Sequence, residues 1–264
     1  MKKIIVFLAF VLTLSTLAFA PSANAASTSE RLSGRILLQV EANGEAWFVN
    51  PDDKQRYYLG RPYDAWNIMR SLGLGISNAD LAKIPTDSDS WDGEQSLINR
   101  LKGKILLQTE KNGEGWYLSP VNGKRYYLGK PSDAFGVMRN LGLGITNRDL
   151  FSIPSNIQIV RINYNGTGRT EPDEYIEIKN TGKLAQTFNT WTLADGDGHV
   201  FTFPNDFTLK PSEVTRVYTN QGELSFKSNT AIWNNSGDSI ELRGANGALI
   251  SAYSYISTLF FIVK

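Results

Sequence analysis

The 264-residue sequence predicts a multi-domain protein in which two small α+β repeats, each a three-stranded sheet plus a helix, precede an all-β sandwich. Two observations lead to this prediction. A 52-residue segment occurs twice, at a constant offset of 69 positions. From residue 157 onward, short β-rich runs alternate with turns at nearly regular spacing, which is typical of a sandwich. We expect each of the three modules to build its own core, with the alternative that the two copies lean on one another, because a module of about 50 residues is marginal alone.

The first 25 residues have the pattern of a cleavable secretory signal. Lys2 and Lys3 precede an apolar run over 4–18, and Ala23-Asn24-Ala25 fits the small-x-small rule for a cleavage site. The apolar run is shorter than the about 20 residues that a membrane span needs. A retained anchor is the alternative. We therefore expect a mature chain that begins at Ala26, has no membrane span and is secreted or held at the cell surface.

The composition narrows the classes of partner. The sequence has no cysteine, which excludes disulfides, thiolate metal sites and a lipid anchor on a cysteine. Without Lys2 and Lys3, 25 basic residues face 26 acidic ones, so the mature net charge is about −1. A near-neutral chain gives no electrostatic reason to expect a nucleic-acid partner. The expected partners are a cell-wall polysaccharide or another envelope protein.

The repeats cover residues 34–85 and 103–154, and 31 of their 52 positions are identical. In the first copy, strands are predicted over 36–41, 47–49 and 56–59, with a hairpin at Asn43-Gly44. A helix follows to about Leu72, and the helical spacing of Trp66 and Met69 places both on the side that covers the sheet. Gly73 is expected to end the helix with a positive φ. Between the copies, residues 86–102 have a polar composition that indicates a linker.

Aromatic residues of the second and third strands are the candidate ligand contacts. Adjacent strand residues point to opposite faces, so one tyrosine per copy should be exposed. The alternative is that all of these rings are framework, because aromatic side chains are more often core than site. The candidates are Trp47, Tyr57 and Tyr58 in the first copy, and Trp116, Tyr126 and Tyr127 in the second.

The repeat is similar to a module of exported proteins from small-genome bacteria. The shared signature is the WYxxP motif, present as WYLSP at 116–120, followed by RYYLG and DAFxVMRxLGLGI at 125–129 and 133–145. No activity is assigned to that module. The resemblance therefore implies export and nothing further about chemistry.

The C-terminal segment 157–255 resembles the bacterial form of the lamin-tail domain. The matching residues are Asn163, Glu174-Tyr175-Ile176-Glu177, Asn180, Trp191-Thr192-Leu193, Asp195, Phe203-Pro204, Leu209, Pro211, Asn235, Gly237-Asp238 and Leu242. The resemblance implies an immunoglobulin-like fold, no catalytic residues and an accessory or adhesive role. The alternation of strand residues predicts that Trp191 and Leu193, together with Ile176 and Ile178, face the interior of the sandwich. One departure is Thr190, where the family commonly has glycine. The apolar tail 256–264 has no counterpart in this pattern.

Three sets of residues were weighed as sites of chemistry. His199 is the single histidine and lies in a predicted hairpin, where a turn role outweighs that of a catalytic base. Asp195-x-Asp197-Gly198 begins like a calcium loop, but the later loop positions do not match, which favours a β-turn. Glu45 and Glu114 are copies of one position, so a shared carboxylate pair is not expected. We expect no catalytic, cofactor or metal site.

These observations predict a non-catalytic binding or adapter protein of the cell envelope or the secreted fraction. One alternative is a purely structural envelope spacer. A carboxylate-based hydrolase is the remaining and weaker alternative, because the motifs that it requires are missing.

Overall fold

The computed structural model describes residues 26–60, 62–245 and 247–256. The expected secretory signal at 1–25, and all but the first residue of the tail 256–264, lie outside the described residues. Within the described ranges, no helix has both the length and the apolar character needed to cross a membrane.

The N-terminal half alternates short strands and helices. Its elements are α1 (Thr28–Arg31), β1 (Ile36–Gln39), β2 (Ala46–Val49), β3 (Arg56–Tyr58), α2 (Pro62–Ser71), β4 (Leu74–Ile76), α3 (Asn78–Leu81), α4 (Gln95–Leu101), β5 (Ile105–Gln108), β6 (Gly115–Leu118), β7 (Arg125–Tyr127), α5 (Pro131–Leu141), β8 (Leu143–Ile145) and α6 (Asn147–Phe151). The described residues of the C-terminal half form the strands β9 (Ile157–Asn163), β10 (Tyr175–Asn180), β11 (Gln186–Thr187), β12 (Thr192–Asp195), β13 (Val200–Thr202), β14 (Thr208–Leu209), β15 (Val214–Tyr218), β16 (Gly237–Arg243) and β17 (Leu249–Ile256).

Each repeat supplies one strand to the sheet of the other. The first sheet has the order β3-β2-β1-β8 and the second β4-β5-β6-β7. The last strand of each copy lies parallel to the first strand of the other, with Leu37 opposite Leu143 and Leu74 opposite Leu106. The predicted three-stranded sheets are therefore four-stranded. The prediction was wrong because the fourth strand is only three residues long and pairs far away in the sequence.

Glycine permits this exchange by its small size. Gly73 is not among the positive-φ glycines, and Gly142, its equivalent and the C-cap residue of α5, has a φ of −63°, so the expected positive φ was wrong. A Cβ atom on Gly73 would lie 2.5 Å from Cγ of Leu107, and one on Gly142 would lie 2.6 Å from Cγ of Leu38. Both glycines are needed because the exchanged strand passes directly over a leucine of the other repeat.

The two repeats share one core. It lies between the sheets and under helices α2 and α5, and its buried residues are Ile36, Phe48, Leu59, Ala65, Met69, Ile105, Tyr117, Leu128, Ala134 and Met138. Gly34 and Gly103 meet backbone to backbone, since a Cβ on Gly34 would lie 2.4 Å from Cα of Gly103. The hydroxyl of Tyr117 donates to the Gly34 carbonyl oxygen over 2.8 Å. The expectation of a separate core for each repeat was therefore wrong.

The segment predicted as a polar linker contains a helix. Leu97, Ile98 and Leu101 of α4 are buried against the outer face of the second sheet. They lie at positions i, i+1 and i+4, which places them on one side of a helix. Residues 86–102 thus belong to the folded unit rather than to a flexible connection.

The C-terminal strands form a sandwich of two main sheets, ordered β15-β10-β9 and β13-β12-β16-β17. Ile176, Ile178 and Leu193 are fully buried between them and Trp191 is 4% exposed, as the alternation of strand residues predicted. A separate pair, β11 with β14, lies beside them. The described part of the protein is accordingly mostly β-sheet.

The first repeat and the sandwich are joined by a continuous core. Leu37, Trp47 and Val49 on the outer face of the first sheet belong to the same buried cluster as the sandwich interior. The connecting residues Ser155 and Asn156 are buried, and the Pro154 carbonyl oxygen accepts a hydrogen bond from the Arg56 N–H over 2.8 Å. The sandwich therefore covers most of the outer face of the first sheet, although Leu143 at its edge is 38% exposed.

Candidate functional site

The aromatic candidates of the first copy are buried. Trp47, Tyr57 and Tyr58 are 0%, 1% and 8% exposed, so the expected exposed tyrosine is absent from this copy. Trp47 and Tyr58 share the outer face of the sheet, with ring centroids 5.0 Å apart, and the sandwich covers them. The Tyr57 hydroxyl donates to Asp53 over 2.7 Å and accepts from the Lys183 N–H over 3.1 Å. Burial raises the pKa of Tyr57. In this copy the rings are framework.

Arg56 connects the outer face of the first sheet to the sandwich. Its guanidinium stands 4.9 Å from the centroid of the Trp47 ring and donates to the carbonyl oxygens of Leu150, at 2.9 Å, and Ile250, at 2.7 Å. Burial lowers the pKa of Arg56 to about 10, because the charged form is desolvated there. The side chain still carries its charge at neutral pH. It connects β3, α6 and β17.

The second copy repeats this arrangement on an open surface. The rings of Trp116 and Tyr127 lie 5.0 Å apart, and the Arg125 guanidinium is 4.8 Å from the Trp116 ring centroid. Tyr127 is 46% exposed, whereas Trp116 and Tyr126 are half-buried. The Tyr126 hydroxyl accepts from the Asn122 side chain over 2.8 Å. Trp116, Arg125 and Tyr127 are together called the second aromatic face, whereas Tyr126 packs against the shared core on the other side of the sheet.

His199 and its neighbours form a closed turn. Asp195 Oδ1 accepts the backbone N–H groups of Asp197, at 3.0 Å, and His199, at 2.8 Å, while its Oδ2 lies 2.5 Å from Nδ1 of His199. Asp238 joins Asp195 and Asp197 in a group whose carboxylate oxygens lie within 4.8 Å of one another. Oxygen ligands of this kind suit a hard cation. Both oxygens of Asp195 are, however, already engaged by the turn and the imidazole.

Sequence reasoning missed Asp238 as a neighbour of this turn. It lies more than 40 positions along the chain, and the antiparallel pairing of β12 with β16 brings it there. The Glu45 carboxylate, considered above as a possible acid, accepts both the backbone N–H of Asn43, at 2.9 Å, and its side-chain amide, at 3.1 Å. That carboxylate therefore has a structural role in its own hairpin.

Glu174 is a buried carboxyl group that sequence reasoning also missed. It is 0% exposed, and its Oε2 accepts from the Thr219 hydroxyl over 2.8 Å and from the Ile232 N–H over 3.1 Å. Among the described residues, Oε1 has no hydrogen-bond partner. Burial raises the pKa of Glu174 to about 7, and the nearby Glu171 acts in the same direction. The signal that could have found it is the strand alternation, because Glu174 lies two residues before Ile176 and so shares the interior side with Ile176 and Ile178.

A cavity of about 330 Å³ lies where the first repeat meets the sandwich. Tyr58 and the α2 residues Asn67 and Ser71 line one side, and Gln186, Asn189 and Trp191 line the other. No charged side chain is among the described residues that line it.

Comparison with known proteins identifies the C-terminal part of the chain. Residues 152–257 match the family model of the Lamin Tail Domain, so the sandwich is a lamin-tail domain. Less than half of the chain is covered by that match, and the N-terminal repeats lie outside it. The chain matches none of the curated proteins.

Two solved structures are similar to part of the chain. One is the archaellum periplasmic stator protein complex FlaF and FlaG from Sulfolobus acidocaldarius, with 12% identity, a TM-score of 0.27 and coverage of 39% of this chain and 90% of that one. The other is the X-ray structure of a Northeast Structural Genomics Consortium target, with 14% identity, a TM-score of 0.20 and coverage of 41% and 92%. Likenesses this weak carry no functional argument.

Proposed function

We propose that the protein is an exported, non-catalytic adapter of the cell envelope or the secreted fraction, and that the second aromatic face contacts its ligand. The observation that supports this proposal is that the outer faces of the two repeat sheets, which have equivalent residues, are buried to different extents. Trp47 and Tyr58 are buried under the sandwich, whereas Tyr127 is 46% exposed. The same ring pair thus serves packing in one copy and is available to a partner in the other.

The chemistry of the second aromatic face suits contact with another molecule. Tyrosine, tryptophan and arginine are the residue types most enriched where binding energy concentrates, because each offers a large apolar area together with a polar group. The guanidinium of Arg125 already packs over Trp116, which holds both groups in place before binding. A cell-wall polysaccharide or another envelope protein is the proposed ligand.

Co-sedimentation with purified cell wall, together with capture of envelope extracts, tests this proposal. Tyr127→Ser should lower retention about tenfold, equivalent to about 1.4 kcal/mol of binding free energy. Val200→Ser is the matched control, since Val200 is 58% exposed on the sandwich and lies outside the second aromatic face. Equal retention of both variants would contradict a role for this face.

A structural spacer is the second candidate. The continuous core that joins the first repeat to the sandwich supports it, because such a core fixes the two modules relative to each other. If neither the wall fraction nor any envelope protein is retained, the spacer is the better description. Release of soluble sugar from the wall by the purified protein would instead favour the hydrolase and contradict both proposals.

A further inference from the structure

The outer face of the sandwich sheet β15-β10-β9 has an excess of basic side chains. Arg161, Tyr175, Lys179 and Arg216 of this sheet are together called the basic face. We propose that the basic face binds a linear polysaccharide that carries carboxylate groups. It lies on the sandwich, whereas the second aromatic face lies on the second repeat, so each of the two sites can fail its test without the other.

Cross-strand pairing places the charged residues of this sheet side by side. Arg161 of β9 and Arg216 of β15 both lie opposite Glu177 of β10, one on each side of it. Neighbouring strands are about 4.8 Å apart, so the backbones of the two arginines are about 10 Å apart. Lys179 follows Glu177 by two positions and therefore lies on the same face. The three cations are thus spread across three strands.

The charges on this face are not balanced. Glu177 is the one acidic residue among its outward strand positions, and its Oε2 lies 2.9 Å from Nη2 of Arg216. Arg161 and Lys179 form no ion pair with any other described residue. Three basic residues against one acidic residue leave a local net charge of about +2, although the mature chain as a whole is near neutral.

The opposite outer face of the sandwich shows that this excess is not a general property of the domain. On the sheet β13-β12-β16-β17, the charged residues at described outward strand positions are Glu241 and Arg243. Their side chains pair with each other over 2.7 Å. That face is neutral, so an anionic partner should prefer the basic face.

Tyr175 adds an aromatic surface beside the arginines. The guanidinium of Arg216 lies 4.4 Å from the centroid of the Tyr175 ring, and that of Arg161 lies 6.0 Å from it. The Arg216 side chain is 44% exposed, so its position over the ring leaves it open to solvent. Packing of this kind orders a guanidinium before a ligand arrives, which lowers the entropy that binding must remove.

The open surface and the spacing of its cations favour a linear polymer over a small anion. One exposed ion pair contributes only about 0–1 kcal/mol. A polymer with acid groups on successive units contacts several cations at once, and linked contacts add up to a much higher affinity. Guanidinium groups pair with carboxylates through two parallel hydrogen bonds. Tyr175 offers a ring face to the weakly positive C–H groups of a sugar, whereas a nucleic acid calls for a strongly basic domain.

Microscale thermophoresis of the purified full chain with polygalacturonate tests this inference. Dextran is the neutral control, and poly-glutamate and single-stranded DNA represent other anionic polymers. Polygalacturonate should bind, and its affinity should fall about tenfold between about 0.05 M and about 0.3 M salt, because the screening length drops below the spacing of the arginines. No binding of polygalacturonate, or equal binding of dextran, poly-glutamate or DNA, would overturn the inference.

Charge variants locate the site. The double variant Arg161→Gln/Lys179→Gln removes the two cations that have no ion pair and should weaken polygalacturonate binding about tenfold. Arg243→Gln is the matched control, since Arg243 is 41% exposed on the neutral face of the same sandwich, and it should leave the affinity unchanged. Equal losses in the two variants would place the polymer elsewhere and overturn the inference.

A variant with stronger binding separates loss of the site from misfolding. Glu177→Gln removes the one acidic group of this face while its amide oxygen can still accept from Arg216, and it should strengthen polygalacturonate binding about threefold. Tyr127→Ser, on the second aromatic face, should leave polygalacturonate binding unchanged. Weaker binding in Glu177→Gln, or lost binding in Tyr127→Ser, would contradict the basic face as the site.

Discussion

The outer faces of the two repeat sheets have nearly the same residues and different environments. On the first sheet, Trp47 is fully buried and Tyr58 is 8% exposed, because the sandwich lies over them. On the second sheet, α4 covers Leu106 and Leu118 and leaves Tyr127 46% exposed. The equivalent outer faces are therefore covered by different segments: the first sheet by a whole domain, and the second sheet by a seven-residue helix.

This difference shows that residue identity does not decide whether an aromatic ring is core or surface. The ring pairs are equally spaced at 5.0 Å in both copies, and an arginine lies over the tryptophan in each. The local geometry is thus a property of the repeat. Its burial depends on which segment packs on each sheet: the sandwich, which follows the second copy, covers the first sheet, and α4, which follows the first copy, covers the second sheet.

The largest expected difference between the two faces concerns the tryptophans. Trp47→Ala should lower the free energy of unfolding by about 3–5 kcal/mol, the usual cost of emptying a large buried site. Trp116→Ala should cost about 1–2 kcal/mol, because this ring is only half-buried. Urea unfolding of both variants measures the two values.

Equal costs for the two tryptophans would contradict the unequal cover. Sedimentation velocity on the unsubstituted protein is the control. A monomer with equal costs would mean that the second face is covered by its own chain, whereas self-association would mean that a second molecule covers it.

At the centre of the double repeat, equivalent substitutions in the two copies should instead lower the free energy of unfolding by similar amounts. Gly34 and Gly103 have φ values of +76° and +83°, and each backbone blocks a Cβ on the other. Gly34→Ala and Gly103→Ala should each cost about 2–5 kcal/mol, the sum of φ strain and steric overlap. Gly44→Ala is the matched control, with a φ of +78° but no atom within 4 Å of the added Cβ, and should cost about 1–2 kcal/mol. If thermal unfolding showed the same loss of stability for Gly44→Ala as for the other two variants, the close contact between Gly34 and Gly103 would be contradicted.

Substitution of the arginines Arg56 and Arg125 should show the same difference between the two outer faces, with smaller losses of stability than for the tryptophans. Arg56→Met removes the donor of two buried carbonyl oxygens and should cost about 2–4 kcal/mol, while the methionine keeps part of the packing. Arg125 is half-buried and donates to the Leu81 carbonyl oxygen, so Arg125→Met should cost about half as much. Chemical unfolding of the two variants tests this. A greater loss for Arg125→Met would contradict the ranking.

Local patterns predicted much of the fold. The alternation in β10 and β12 placed Ile176, Ile178 and Trp191 in the interior, where the structure has them. Helix α2 likewise buries Met69, as its spacing predicted. These residues were predictable because a strand or helix that covers a core must repeat its apolar positions with a fixed period.

The exchanged strands and the inter-module contacts were not predictable in this way. Leu74–Ile76 is too short to show a strand period, and its partner strand begins about 30 residues later. The burial of Tyr58 depends on the sandwich, which is far away in sequence. Helix α4 is a different case, because Leu97, Ile98 and Leu101 have helical spacing in the sequence, whereas the acidic and polar residues before them give the segment the composition of a linker.

The smallest expected effect tests whether the first repeat and the sandwich unfold together. Glu174 has a pKa of about 7 in the folded sandwich, above the about 4.3 of an unfolded chain. Between these values the folded state retains a proton that the unfolded state has released. This contribution to stability is therefore complete below about pH 4 and is lost as the pH rises through 7, with a change of about 1 kcal/mol between pH 6 and 7.

Glu174→Gln should remove that pH dependence, because the amide oxygen can still accept from Thr219 and Ile232 and carries no charge at any pH. Glu223→Gln, on an exposed loop of the sandwich, is the control and should keep it. Within residues 26–256 as described, the helices all lie in the N-terminal half, so helical circular dichroism reports the repeats, although the titrating group is in the sandwich. If the shared core couples the modules, the helical signal should show the Glu174-dependent shift of the unfolding midpoint with pH. If the midpoint of the helical transition did not change with pH in this range while that of the sandwich did, the two modules would unfold separately despite their common core.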